Sequence, residues 1–204
     1  MRALLTSTLA ALVTLSAAAS ITLGDTAKAD LAIVRAASAS LPVVQRLDLQ
    51  RYSGIWFEQA RLPNRFQREC AGNVVADYAV EQGGTLKVVN GCTDRQGGWS
   101  QVEGEGRRVP VVGAPQGQLE VRFAPRWLSW LSAVWGDYWV IGIDDGYRTA
   151  LVGTPDREYL WLLSRAPVMP QDEVRQWLDR AAIAGFEVDK VVMTPHGGDA
   201  VSAR

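Results

Sequence analysis

One histidine and two cysteines are all that this chain of 204 residues offers to chemistry needing an imidazole or a thiol. The histidine, His196, sits in a Pro195-His196-Gly197-Gly198 tail, where it reads as a solvated residue. That leaves no histidine-based triad and no histidine-rich metal site. Charge of one sign is also lacking: 21 Lys and Arg stand against 22 Asp and Glu. No basic block interleaved with aromatics occurs, so nucleic acid is not an expected partner. Gly83-Gly84 and Gly104-Glu105-Gly106 lack the strand-to-helix setting of a phosphate loop. Internal repeats are absent, and nothing marks a second domain.

What is present begins with an export signal. Met1-Arg2 supplies a positive start, Ala3 to Leu23 is apolar and small, and Ala27-Lys28-Ala29 offers a cleavage site before Asp30. Thr6, Ser7, Thr8, Thr14, Ser16 and Ser20 dilute the apolar stretch, which favours a cleaved signal over residues 1–29 rather than a retained anchor. A second such site, Ala37-Ser38-Ala39, leaves the mature start open. Residues 30–46 read as a flexible leader and 194–204 as a disordered tail. In an exported chain the two cysteines, Cys70 and Cys92, are expected to form one disulfide. They flank a hairpin turned at Gln82-Gly83-Gly84, and their register misses a direct match by a few residues, a gap that a bulge can absorb.

Eight short strands are expected, over 54–62, 73–81, 85–92, 99–109, 117–124, 137–144, 147–153 and 158–165. Leu119, Val121 and Phe123 alternate with Gln118, Glu120 and Arg122, so one face is apolar and the other wet. Tight-turn residues at Asp145-Gly146 and Thr154-Pro155-Asp156 suit consecutive antiparallel neighbours. This pattern fits an all-β barrel or a sandwich equally. After Pro167 the period changes: Val174, Trp177, Leu178 and Ala181 define one stripe of a helix that starts near Pro170 and stops at Gly185. A ninth strand is expected over 186–193.

Gly54-Ile55-Trp56 opens the first strand run, and Arg165 closes the last, Tyr159-Leu160-Trp161-Leu162-Leu163-Ser164-Arg165. With that spacing, and one helix and a strand after it, the chain resembles the lipocalin family. Within it the nearest likeness is to the bacterial lipocalins related to apolipoprotein D and plant temperature-induced lipocalins. The resemblance covers roughly residues 46–193, with the domain itself over 47–193, and implies an eight-stranded up-and-down antiparallel barrel with a C-terminal helix and a ninth strand. It further implies that Trp56 closes the barrel floor with Arg165 stacked across it from outside, and that the Asp144-Asp145 turn and Tyr147 form a second structural motif at the closed end. Some bacterial members carry an acyl anchor on a cysteine just after the signal. With cysteine only at positions 70 and 92, this sequence departs from that pattern, so the expected location is the periplasm or the outer-membrane periphery without such an anchor.

If Trp56 lies on the floor, alternating strand directions put 93–98, 125–136 and 154–157 at the mouth. The 125–136 loop holds three tryptophans, Trp127, Trp130 and Trp135. Trp127, Trp130, Leu131 and Val134 have helical spacing, so this segment reads either as a lid folded over the barrel or as a surface that dips into a lipid interface. Arg65, Arg68 and Arg126 lie near it. Tyr78, Leu119, Val121, Phe123, Tyr138, Val140 and Trp161 are expected to line a mostly apolar cavity. Glu58, on the same face as Trp56 and Ala60 by simple alternation, is a hydrogen-bonded structural carboxylate, a residue turned outward by a bulge, or a polar contact for a ligand head. The resemblance implies non-catalytic binding of fatty acids or lysophospholipids, for transport or storage in envelope lipid maintenance, by a monomer or weak homodimer with peripheral membrane contact. No cofactor is expected. Two other classes stay open: an isomerase or de-epoxidase on the same scaffold, and a tetrapyrrole or pigment carrier.

Overall fold

The computed structural model describes residues Leu41–Gly197. The export signal, the first part of the expected leader and the tail from residue 198 lie outside the described residues. Nine strands form one antiparallel sheet: β1 Gly54–Arg61, β2 Cys70–Val80, β3 Leu86–Asp94, β4 Trp99–Arg108, β5 Gln118–Arg122, β6 Gly136–Ile143, β7 Thr149–Gly153, β8 Leu160–Ser164 and β9 Val192–Met193. Neighbours follow chain order from β2 to β8, then β1. Additional β1–β2 pairing closes the sheet on itself, with β9 added beside β1. The expected eight-stranded barrel is therefore the observed fold, and closure removes the sheet edges that an open sheet would expose. A one-turn helix, α1 Leu49–Tyr52, precedes β1, and α2 Gln171–Ile183 packs outside the barrel.

Two apolar layers hold these elements. Inside the barrel, Trp56, Tyr78, Leu86, Val88, Leu119, Val140, Val152 and Leu163 pack together. Outside it, Val174, Trp177 and Ala181 of α2 cover Ala60, Ile141, Leu151, Leu160 and Leu162. The stripe read from the sequence is the buried one, with Leu178 at its margin. α2 ends where Gly185 takes a positive φ of 91°, which lets the next amide bond back to Ala181.

Strand β1 carries a bulge. Up to Glu58, β1 pairs with Leu163; the register then shifts, and Ala60 pairs with Leu162 and Arg61 with Trp161. Gln59 is the extra residue. Simple alternation puts Ala60 inside with Trp56 and Glu58. The bulge reverses this: Ala60 joins the outer layer under α2, and Arg61 turns inward. Gln59 is fixed on the outer side, where its amide donates to Ala166 O and Pro167 O and accepts from Met169 N.

Segments expected to be loose are docked where they are described. Val44 exchanges backbone hydrogen bonds with Val140 and Gly117, and Leu41 is buried, so 41–46 is not a free leader. The expected ninth strand is mostly a 3-10 turn, Val188–Lys190, with only Val192–Met193 paired to β1. Beyond it the chain continues in register instead of becoming disordered. Thr194 N donates to Gln59 O, Pro195 O accepts from Asn73 N, and Gly197 pairs with the Asn73 side chain. Residues 192–197 thus complete the wall above the point where β1 and β2 part. His196 is no solvated tail residue: its Nε2 lies 2.6 Å from Glu58 O, and its ring meets Phe57 edge-on.

Cys70 and Cys92 are joined, with Cα atoms 5.6 Å apart. Two slips in the β2–β3 ladder, between Val75 and Gly72 and between Gly72 and Cys70, narrow the register gap and set Cys70 opposite Asp94, so the bridge runs diagonally across the ladder to Cys92. Asn73 provides the local bend with a φ of 48°. Closing a separation of 22 residues is worth about 3 kcal/mol in the loop-entropy model. Replacing both cysteines by serine is expected to lower the urea-unfolding free energy by about that amount, and an unchanged midpoint under reducing conditions would remove the bridge from the account of stability.

Candidate functional site

The closed end is built around one guanidinium. Asp48 caps α1 by accepting from Gln50 N and Arg51 N, which satisfies two of the amides a helix start leaves open. The other end of this single turn leaves its carbonyls unpaired. Arg165 fills them, donating to Arg51 O, Tyr52 O and Ser53 O at 2.9, 3.1 and 2.8 Å, and to Ile55 O at 2.7 Å. Its carbon lies 3.9 Å from the centre of the Trp56 ring, the stacking that the resemblance implied. Gly54 makes the approach feasible: its φ is 89°, and a Cβ there would stand 3.4 Å from Arg165 Nη1. The β6–β7 turn joins this end through Tyr147, whose hydroxyl accepts from Asp48 N and whose ring lies under Arg51. Asp144 holds that turn. Burial acts to raise its pKa, but the amides of Thr149, Arg148 and Gly146 and the Arg148 side chain bring it below the ordinary carboxylate value.

Above the floor, the lower barrel is filled by its own side chains. Tyr138 OH lies 2.8 Å from both Tyr52 OH and Tyr78 OH, and the Tyr52 ring stacks on Tyr78 and tilts against Trp56. Of the seven residues expected to line a cavity, Tyr78, Leu119, Tyr138 and Val140 are indeed interior, yet they are buried against one another at depth. Val121 and Trp161 lie higher, half-buried at the margin of the same cluster. Phe123 stands at the open end, 41% exposed, with its ring over the backbone of Gly104. The lower interior is therefore filled, and the incompletely covered apolar side chains, Val121, Trp161 and Phe123, mark the upper end as a shallow cup.

On one wall of that cup the bulge gathers a polar group. Glu58 is buried, as alternation indicated, and accepts three hydrogen bonds. Its Oε1 accepts from Arg61 Nη1 at 2.8 Å and from the Thr194 hydroxyl at 2.5 Å, and its Oε2 accepts from Gln67 Nε2 at 2.6 Å. Gln67 Oε1 in turn accepts from Trp161 Nε1 at 2.9 Å. The loop between β1 and β2 is thereby drawn down onto the rim. Arg61, Gln67 and Thr194 escape a reading of the sequence because they reach this wall through the bulge, a loop and the C-terminal segment respectively. No local pattern marks any of them.

The mouth carries Trp127 and Trp130 at 73% and 78% exposure, and Phe66 across the rim at 64%. Phe66, Tyr159 and Trp161 form an aromatic row from rim to interior. The 125–136 loop is two 3-10 turns, Arg126–Leu128 and Ser132–Val134, and does not fold down as a lid over Trp127 or Trp130. Trp135 departs from the expected group of three. It lies on the outer wall, 3.8 Å from Arg107 and 5.2 Å from Arg122, with its Nε1 donating to Ser129 O. Arg122, expected on a wet face, is buried there against Glu105. Arg126 stays exposed at the mouth.

Among the described residues no group of three or more His, Cys, Asp or Glu could hold a metal ion, and no helix is long and apolar enough to cross a membrane. A surface groove between the start of α2 and the β6–β7 turn mixes Asp144, Asp145, Asp172 and Glu173 with Arg148 and Arg180. It lies outside the barrel, and its charges of both signs define no ligand.

Comparison with known proteins supports the reading from geometry. A family model described as a lipocalin-like domain matches residues 47–196. Temperature-induced lipocalin-1 of Arabidopsis thaliana is 35% identical over 156 residues, covering 76% of this chain and 82% of that protein. Outer membrane lipoprotein Blc of Escherichia coli K12 is 37% identical over 158 residues, covering 76% and 83%. Apolipoprotein D of Mus musculus is 26% identical over 162 residues, covering 76% and 80%. Among solved structures, insecticyanin from the tobacco hornworm Manduca sexta aligns with a TM-score of 0.60 at 20% identity, over 79% of this chain and 87% of that one. That last likeness speaks to fold alone.

Two outcomes test the closed end. Trp56→Ala is expected to cost about 3–5 kcal/mol as a large-to-small core change. Arg165→Ala is expected to cost roughly 2–4 kcal/mol, because it strips several carbonyls of their donor as well as the ring of its cation. Chemical denaturation showing either variant as stable as the parent would remove the floor as a stabilising unit. The tyrosines set a pH limit. Burial pushes Tyr78 up from 10.0 to about 12, with the Tyr138 hydrogen bond and Arg165 opposing, and burial raises Tyr52 and Tyr138 as well. The folded state thus keeps protons that the unfolded chain releases near 10. The Tyr78 contribution is whole below that pH and is lost as the pH rises to about 12, by up to roughly 1.4 kcal/mol per unit, and Tyr52 and Tyr138 act in the same direction. Urea unfolding at a series of alkaline pH values should show that slope, and Tyr78→Phe should flatten it.

Proposed function

The chain belongs to the lipocalin family, and on that premise we propose that it binds a single-chain lipid, a fatty acid or a lysophospholipid, and carries or stores it without chemical change. The observation that carries this reading is the asymmetry of the barrel. One end is sealed by Trp56, Arg165 and the tyrosine cluster. The other opens as a cup walled by Val121, Phe123 and Trp161, with Phe66, Trp127 and Trp130 exposed around it. An apolar chamber with few polar groups suits an acyl chain. Both cysteines are held in the disulfide and the one histidine in a backbone hydrogen bond, which supports binding over catalysis.

Trp127 and Trp130 are assigned to contact with a lipid surface, from which the ligand enters or to which it leaves. Large exposed indoles on a short loop bury apolar area at a headgroup boundary without spanning it. Exposed Arg126 adds attraction to anionic lipid. The proposed location is the periplasm or the outer-membrane periphery, in envelope lipid maintenance; the similarity to a protein named as an outer membrane lipoprotein supports it.

The loop separates docking from folding. Trp127→Ser with Trp130→Ser should leave the unfolding midpoint unchanged within error, since both side chains are solvated. The same double variant should bind phosphatidylglycerol-containing vesicles several-fold more weakly and transfer fatty acid from them more slowly. Trp135→Ser should instead lower stability, by about 1 kcal/mol, through lost stacking on Arg107 and Arg122. A double variant that docks and transfers as fast as the parent would reject the membrane-contact assignment.

A further inference from the structure

Arg61 reaches the inner wall of the cup only because Gln59 is an extra residue in β1, and its guanidinium is held there from one side. Nη1 donates to Glu58 Oε1 at 2.8 Å and to Thr194 Oγ1 at 3.2 Å. The other edge, Nε and Nη2, makes no hydrogen bond with any described residue, and the side chain keeps 13% exposure. Glu58 already accepts from the Thr194 hydroxyl and Gln67 Nε2 alongside Arg61, so most of its acceptor capacity is in use. Trp161 lies directly beside Arg61 in the ladder, and Leu163 beside Glu58. The β8 neighbours of this ion pair are thus apolar.

A guanidinium edge of two parallel N–H directions matches the spacing of two oxygens on a carboxylate or phosphate. A partly buried ion pair adds little to stability compared with apolar packing of the same volume. Glu58, Thr194 and Gln67 nonetheless form a complete holder that fixes one edge of Arg61 and leaves the second one presented. That arrangement has the form of a preset anion receptor, oriented before the ligand arrives.

We infer that Arg61 receives the anionic head of the bound lipid, a carboxylate or a phosphate, while the chain lies against Trp161, Val121 and Phe123. Glu58, Gln67 and Thr194 act as positioning residues for that guanidinium. This inference rests on the lipid-binding reading above and narrows it to amphiphiles with an anionic group at the head.

The test is displacement of the fluorescent probe N-phenylnaphthylamine, in mildly alkaline buffer, by three ligands of one chain type: oleic acid, 1-oleoyl lysophosphatidic acid and oleyl alcohol. Wild-type protein is expected to bind at least one of the two anions about tenfold or more tightly than the alcohol, as one charge-assisted pair allows. R61Q should erase that preference while leaving alcohol affinity within about twofold. R61K retains the charge beside Glu58 but has no second edge, and it should lose part of the preference. Whichever anion suffers the greater loss in R61Q identifies the head as carboxylate or phosphate. Equal affinity of wild type for the alcohol and both anions would overturn the inference without any variant. So would an R61Q protein that keeps the wild-type preference. If R61Q does not fold, R61K decides, and an unchanged anion preference there overturns the paired-edge assignment. Displacement by none of the three from wild type would instead bring down the lipid-binding reading itself.

Discussion

Strand β1 has three neighbours to satisfy, and the bulge at Gln59 is how it does so. Below the bulge, β1 pairs with β2 on one side and β8 on the other; above it, β9 takes the place that β2 has left. An extra residue in a strand is ordinarily a local loss of ladder hydrogen bonds. Here the loss is offset, since the Gln59 side chain ties the bulge to the connection between β8 and α2 and its carbonyl receives Thr194 N. From this one displacement follow the burial of Ala60 under the helix, the inward turn of Arg61, and the docking of the C-terminal segment against Asn73.

The two ends of the barrel are built on opposite principles. At the floor, apolar packing, an aromatic stack and several charge-assisted hydrogen bonds converge on Arg165, and the three tyrosine hydroxyls satisfy one another in the space above. Nothing in that region is left to recognise a ligand. At the mouth, large apolar side chains remain in water, where they add no folding energy, and a guanidinium keeps one edge unpaired. Stability and recognition are segregated along the barrel axis. Variants at the floor should register in unfolding experiments and variants at the rim in binding.

The legible parts of the sequence were those whose cause is local or periodic. Gly54 and Trp56 with Arg165, the helix stripe of Val174, Trp177 and Ala181, the turns, and the two cysteines all declare themselves by residue type and spacing. Leu119 was placed on an apolar face by alternation, and Tyr78, Tyr138 and Val140 were expected beside it in the interior that the resemblance implied. Depth was not legible. These four are packed against one another, because the tyrosine cluster occupies the volume above the floor, and no period-two pattern reports how high a residue stands in a closed barrel. The mouth loop shows the same limit: three tryptophans look alike in sequence, yet only Trp135 finds two arginines on the outer wall.

By itself the sequence determined an all-β chain of eight short strands and one amphipathic helix, with an apolar face that must be buried and a Trp–Arg pair that names the family. Those features follow from residue periodicity and from side chains that can play few other parts. The tertiary structure alone decided that Arg61 and not Ala60 faces the interior, that Thr194 and His196 belong to the wall, and that Glu58 is held by Arg61, Thr194 and Gln67. Each of these depends on a one-residue shift in register, which in a strand moves every later side chain to the opposite face. That shift is held by contacts from residues more than a hundred positions away.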